Sequence, residues 1–157
     1  TPVKCAGPLG VFCTDIDARP SIVMIAGGVG ITPFLSVLRH FRNIGAGNEV
    51  KLFWSNKTIE DVICSDEISE MTKALRLRVI HNLSRDEDVK RHRRDSFPEV
   101  FYEPGRLGAD VLGRHGVSAG SAFYLCGPPP MMDSALQELS SLGVDPDKVE
   151  REKFSWK

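Results

Sequence analysis

The sequence predicts an α/β fold, a doubly wound, mostly parallel sheet of about five strands with helices on both faces. Two observations carry this. Residues 21–38 (SIVMIAGGVGITPFLSVL) and 121–139 (SAFYLCGPPPMMDSALQEL) each pass from an apolar, strand-like run through a glycine turn into a helical pattern. Between them, strand-like and helix-like stretches alternate, as βαβ units require.

The first strand, residues 22–26, is continuously apolar, so both its faces must be covered, as in a parallel sheet. Behind it Phe34, Val37, Leu38 and Phe41 recur at i, i+3, i+4, i+7, an inward helix stripe that ends at Gly45 and Gly47. Residues 50–54 and 77–83 are short runs rich in β-branched and aromatic residues and read as strands. Between these runs Asp66 is placed to cap a helix that turns Ile68, Met71 and Leu75 inward. Residues 85–106 (RDEDVKRHRRDSFPEVFYEPGR) break the rhythm with dense charge, Pro98, Pro104 and Gly105, and predict an excursion over the surface. The RHRR cluster at 91–94 reads as solvated mixed charge more readily than as a phosphate site. The last strand, residues 122–126, feeds a helix with Met132, Ala135, Leu136 and Leu139 inward and Gly143 at C′.

Composition excludes more than it identifies. The 157 residues fit one domain that needs no disulfide or metal staple. Hydrophobic residues at 41% and charged residues at 26% are ordinary globular usage, and 20 basic against 21 acidic residues leave a charge of -1. No overall basic field points to nucleic acid or an anionic membrane, so any anion site must be local. Cys5, Cys13, Cys64 and Cys126 are scattered singly, without the close pairs that zinc or iron–sulfur sites use. No apolar run approaches the roughly 20 residues of a membrane span, and no signal segment opens the chain, so the cytoplasm is the expected compartment.

The two glycine turns carry the chemistry. In AGGVGITP, Gly27, Gly28 and Gly30 permit positive φ and close approach of a ligand, while Pro33 suits the first turn of a helix. Backbone amides at a helix N-terminus attract a pyrophosphate, which makes this a dinucleotide-site candidate. It is not a nucleotide-triphosphate loop, because Ile31-Thr32-Pro33 stands where Lys-Ser/Thr belongs. In YLCGPPPMM, Gly127 permits the turn and three prolines stiffen it, which implies shape rather than phosphate coordination. Read alone, Cys126 is a small buried hydrophobe.

Taken together, IAGGVGITPFLSVLR, WSNKTIEDVI, YLCGPPPMM and the tail EREKFSW resemble the NAD(P)H-binding domain of the ferredoxin–NADP reductase-like flavoprotein reductases, in matching order along the chain. The resemblance implies that Gly28 and Gly30 admit the pyrophosphate and that Thr32 lies near the flavin–nicotinamide contact. It further implies that Cys126 and Gly127 flank the nicotinamide, with Pro128 and Met131 lining its approach. Thr32 and Cys126 would place the donor carbon, and Glu152 matches an acidic residue that assists the hydride step in some members. Phe154 or Trp156 resembles the C-terminal aromatic that covers the flavin. The family's R-x-Y-S/T flavin motif is absent from the sequence, and only residues 7–12 resemble the close of a flavin barrel. The chain is therefore expected to bind NADH or NADPH, with FAD held on an upstream domain. Residues 1–20 would be the residual loop of that domain and 21–157 the nucleotide domain, an excised part of a larger protein.

The choice between NADH and NADPH stays open. Ser84 and Arg85 resemble the phosphate-binding pair of NADPH members, and Lys57 adds charge, yet the run Ser55, Asn56, Lys57 with Asp61 also resembles NADH-using reductases. The leading expectation is an electron-transfer module passing hydride to FAD and on to an acceptor protein or domain. The alternative is a nucleotide-sensing or interaction module without redox work. A self-sufficient dehydrogenase is disfavoured, because His40, His81, His92 and His115 are dispersed and form no acid–base pair in sequence.

Overall fold

The computed structural model describes Pro2 and residues 10–153. The continuous apolar run after Pro20 becomes β1 (Ser21–Gly27), buried on both faces as its sequence requires. A short 3-10 turn carries it into α1 (Ile31–Ile44), followed by β2 (Glu49–Asn56), α2 (Ser65–Ala74) and β3 (Leu77–Leu83). Then come β4 (Val100–Pro104), α3 (Ala109–Arg114), β5 (Ala122–Gly127), α4 (Pro129–Ser141) and β6 (Val149–Lys153). All six strands are parallel, in the order β4-β3-β2-β1-β5-β6.

Strand alternation divides the core into two layers. Ile22, Met24 and Trp54 pack with Phe34, Leu38 and Phe41 of α1 and Ile68 and Met71 of α2. On the opposite face Val23, Ile25, Phe53 and Leu125 pack with Leu112 of α3 and Met132, Ala135 and Leu139 of α4. The helix stops follow the glycines. Gly45 and Gly143 adopt φ +63° and +84°, and the next amides, of Ala46 and Val144, bond back to Phe41 O at 2.9 Å and Leu139 O at 3.1 Å.

The α/β fold class is as expected, with a sheet of six strands, all parallel. Two other expectations are corrected. The 85–106 segment is not only a surface excursion, because its second part forms β4. β4 and β6 are edge strands with mixed charged sequences, VFYEP and VEREK, in which only Val100 and Val149 are buried. Edge strands hold one neighbour and carry charge that discourages further pairing, so neither shows the apolar run by which central strands are read. Finally, Asp66 is not the cap of α2. The helix starts at Ser65 behind Cys64 at φ +52°, and Asp66 sits in the first turn, where its Oδ1 accepts from Arg94 Nη1 at 3.0 Å.

The RHRR cluster is absorbed in packing. Arg91 and His92 both reach Asp86 Oδ2, at 3.1 and 2.6 Å, Arg93 lies over the Phe101 ring, and Arg94 lies over Phe97. The described part of the lead-in also packs on the sheet layers. Phe12 meets the rings of Phe34 and Tyr124, the Tyr124 hydroxyl donates to Asp15 at 2.9 Å, and Ile16 is buried. No helix among the described residues is long and apolar enough to cross a membrane.

Candidate functional site

From β1 the chain adds strands outward to β4, then returns to place β5 on the other side of β1. Open α/β sheets take ligands outside the carboxyl ends of the strands at such a reversal. A cavity of about 600 Å³ lies there.

One wall is the first glycine turn, where Gly27 and Gly28 line the cavity. A Cβ on Gly27 would meet Met131 Cε at 2.5 Å and Pro128 Cδ at 3.1 Å, so the second turn presses directly on the first. Gly28 is different: its φ of +52° lies in the left-handed region that favours glycine, while the space around it is open. The turn runs straight into α1, whose N-terminal end carries partial positive charge toward the crevice. From β2, the buried indole Nε1 of Trp54 donates to Gly28 O at 2.9 Å and fixes the turn.

The floor follows from strand register. Gly27, Ser55 and Asn82 are partners across β1, β2 and β3, on the same face as Ile25, Phe53 and Ile80. Ser55 Oγ, Asn56 Nδ2 and both amide atoms of Asn82 are buried without a hydrogen-bond partner among the described residues. All three residues line the cavity. Buried polar atoms are nearly always paired, so orphans grouped around one cavity fit an occupant that supplies polar partners. Leu107 and the α4 residues Pro130, Met131, Ser134 and Ala135 form the opposite wall. Lys57 and Arg106 bring positive charge to the lining. The carboxylate of Asp61 also lines it, but its Oδ2 accepts from Thr58 N at 3.0 Å in a capping box.

Of the residues singled out by sequence, Gly27, Gly28, Ser55, Asn56, Lys57, Asp61, Ser84, Pro128 and Met131 line the cavity. Gly30, Thr32, Pro33, Arg85, Cys126, Gly127 and Glu152 lie outside its wall, and Phe154 and Trp156 fall outside the described residues. A Cβ on Gly30 would overlap the Cys126 carbonyl oxygen, so this glycine lets the turn before α1 pack on the end of β5. The exposed Thr32 hydroxyl donates back to Val29 O at 3.1 Å, and Pro33 is in the first turn of α1. Arg85 is exposed, with its backbone amide on Lys57 O at 2.8 Å. A Cβ on Gly127 would meet Met131 Cε at 2.5 Å and Gly27 N at 3.1 Å. Cys126 is fully buried in the layer beneath α1. Burial, and then the charge of Glu152, push its thiol up to about 12, so it stays neutral. Glu152 is exposed on β6, in register with Cys126.

Val29 and Pro130 belong to the two turns already singled out, while the sequence reading missed Ile63, Asn82, Gly105, Arg106, Leu107, Ser134 and Ala135. A lone asparagine ending an apolar strand was a usable signal for Asn82; the others are brought in by the segment before α2, the loop between β4 and α3, and α4. No histidine lines the cavity. His40, His92 and His115 pair with Asp17, Asp86 and Glu103, and His81 is buried against Tyr102 with ring centroids 5.0 Å apart.

Fold and cavity define a dinucleotide-binding type of α/β domain. The chain belongs to the oxidoreductase NAD-binding domain family, whose model matches residues 24–137. It is similar to the reductase component of propane 2-monooxygenase from Rhodococcus jostii (strain RHA1), 33% identical over 155 residues, covering 98% of this chain and 40% of that protein. It is also similar to oxidoreductase NAD-binding domain-containing protein 1 of Homo sapiens, 29% identical over 148 residues, covering 88% of this chain and 46% of that protein. The chain therefore spans less than half the length of these relatives. Among solved structures, a flavohemoglobin from Malassezia yamatoensis with bound FAD and heme shares the fold at TM-score 0.70 and 22% identity, covering 87% of this chain and 32% of that one. An Amycolatopsis cytochrome P450 reductase does so at TM-score 0.69 and 22% identity, covering 94% and 42% respectively.

Proposed function

We propose that this chain is the pyridine-nucleotide module of a flavin-dependent electron-transfer oxidoreductase, taking NADH or NADPH and passing hydride to FAD held on a domain upstream of it. The observation that carries this is the cavity at the strand reversal, where an open glycine turn meets a floor of unpaired polar side chains. The length of the relatives, more than twice this chain, and the FAD bound in a structural neighbour support a flavin domain beside it.

A bound nicotinamide supplies the hydride and leaves the protein the task of placement. Gly28 lets the backbone come close to the pyrophosphate, and the N-terminal end of α1 offsets its charge. Pro128 gives the cavity a stiff wall on the β5 side that aligns the nicotinamide, with Gly127 and the neutral, space-filling Cys126 behind it. Thr32, near the same turn, and Glu152, which pairs in register with Cys126 on β6, would face the partner domain. The electron acceptor after FAD is a further protein or domain.

Lys57, Ser84 and Arg106 at the lining favour the extra phosphate of NADPH, since Asp61, the carboxylate that would take a free ribose hydroxyl, is held by Thr58. Titrating the chain with NADH and NADPH by calorimetry tests the binding step. Saturable binding of either supports the proposal, and no binding of both overturns it. The longer protein that contains this chain should be yellow and bleach on adding the nucleotide; a protein without flavin would favour a nucleotide-sensing module instead.

A further inference from the structure

With the pyrophosphate at Gly28 and the nicotinamide toward β5, the remaining end of a dinucleotide extends over β2 and β3. That placement rests on the proposed function. The floor there is the row formed by Ser55 and Asn82, and the facing wall is Leu107 and Ala135. Two apolar side chains opposite a polar floor make a slot for a flat ring with polar edges.

We propose that Asn82 reads the base of the dinucleotide, its carboxamide pairing with the 6-amino and N7 edge of adenine. Asn82 is 0% exposed, lines the cavity, and leaves both Nδ2 and Oδ1 without a partner among the described residues. A buried amide unsatisfied at both ends is costly, and no packing need explains it, since an apolar side chain of that size would fill the position. A carboxamide offers one donor beside one acceptor, and adenine offers the complementary pair, the same bidentate match by which asparagine recognises adenine in nucleic acids. A phosphate does not fit there, because it would pair with Nδ2 and set like charge against Oδ1. That group belongs at Arg106 and Lys57. Ser55, between Asn82 and Gly27 in the register, lies nearer the pyrophosphate, and its unpaired hydroxyl suits the ribose.

The test compares binding of NADH and of reduced nicotinamide hypoxanthine dinucleotide, in which the 6-amino donor becomes a 6-oxo acceptor, to the whole chain by calorimetry. The wild type should prefer NADH by about tenfold, the loss expected when one bond of a bidentate pair turns repulsive. Asn82→Leu and Asn82→Ala should both bring the ratio to about one. Ser55→Ala should weaken both ligands alike and leave the ratio unchanged. Asn82→Leu should also keep or raise the thermal midpoint of the free protein, because it removes an unpaired amide, an effect opposite to that of losing a structural hydrogen bond. Equal wild-type affinities, or a preference that survives both Asn82 substitutions, overturn the assignment and leave dinucleotide binding standing. Absence of binding by either ligand overturns the proposed function together with it.

Discussion

The indole Nε1 of Trp54 donates to the carbonyl oxygen of Gly28 at 2.9 Å, which ties the core of β2 to the one turn whose backbone must adopt φ +52° beside the cavity. Trp54 is fully buried while Gly28 is exposed, so the bond anchors the turn from the core side and holds it in place before any ligand arrives.

Replacing Trp54 by Phe keeps an aromatic ring but removes this donor and leaves Gly28 O without it. Stability should fall by about 1–3 kcal/mol, combining the lost hydrogen bond and the smaller ring. The loss of nucleotide affinity should be the larger effect relative to a core substitution remote from the turn, such as Leu139→Ala. Urea melts and calorimetric titrations of the two variants make the comparison.

Gly28 and Gly30 should respond differently to alanine. At Gly30 the added Cβ overlaps the Cys126 carbonyl, which is backbone and has little freedom to move, so Gly30→Ala should lower stability by about 1–3 kcal/mol or more. At Gly28 the surroundings are open and the cost is conformational, about 1 kcal/mol, while the side chain enters the space proposed for the pyrophosphate. Gly28→Ala should therefore melt close to wild type and bind NADH and NADPH poorly, as thermal melts alongside titrations would reveal.

Burial holds the His81 imidazole at about 4, far below its usual 6.5, with His92 pushing the same way. Since the unfolded chain binds the proton more readily, stability should be full above pH 6.5 and fall as pH drops toward 4. The contribution is at most about 3 kcal/mol. His81→Phe, which retains a ring against Tyr102, should flatten urea-derived stability between those limits; an unchanged slope would assign the dependence to other groups.

The Cys126 thiol, pushed up to about 12 and fully buried, should resist alkylation in the native protein. Cys64 is exposed at the start of α2 and should react before Cys126. Iodoacetamide labelling followed by peptide mass mapping, with and without urea, checks the order, and rapid native labelling of Cys126 would contradict its burial.

Arg106→Ala should weaken NADPH binding several-fold more than NADH binding if the lining cations hold the 2′-phosphate, because one charge-assisted contact contributes about 1.5–3 kcal/mol. Equal losses would place Arg106 against groups common to both nucleotides.

The amino-acid sequence by itself determined the central layers and the turns. Continuous apolar runs such as residues 22–26 can form stable strands only when covered on both faces, and the 3.6-residue spacing behind them supplies the covering helices. Gly27, Gly28 and Pro128 were legible because a strand-to-helix turn close to a ligand needs those residue types. The tertiary structure alone decided the edge strands and the far wall of the cavity. β4 and β6 gain their stability from one neighbouring strand rather than from their own pattern, so VFYEP and VEREK carry little local signal. It also separated glycines that look alike in sequence, since Gly28 lines the crevice while Gly30 packs against Cys126 O. Asn82, Arg106 and Ala135 come from β3, the loop after β4 and α4, and only the parallel register and the return of the chain to β5 place them around one cavity.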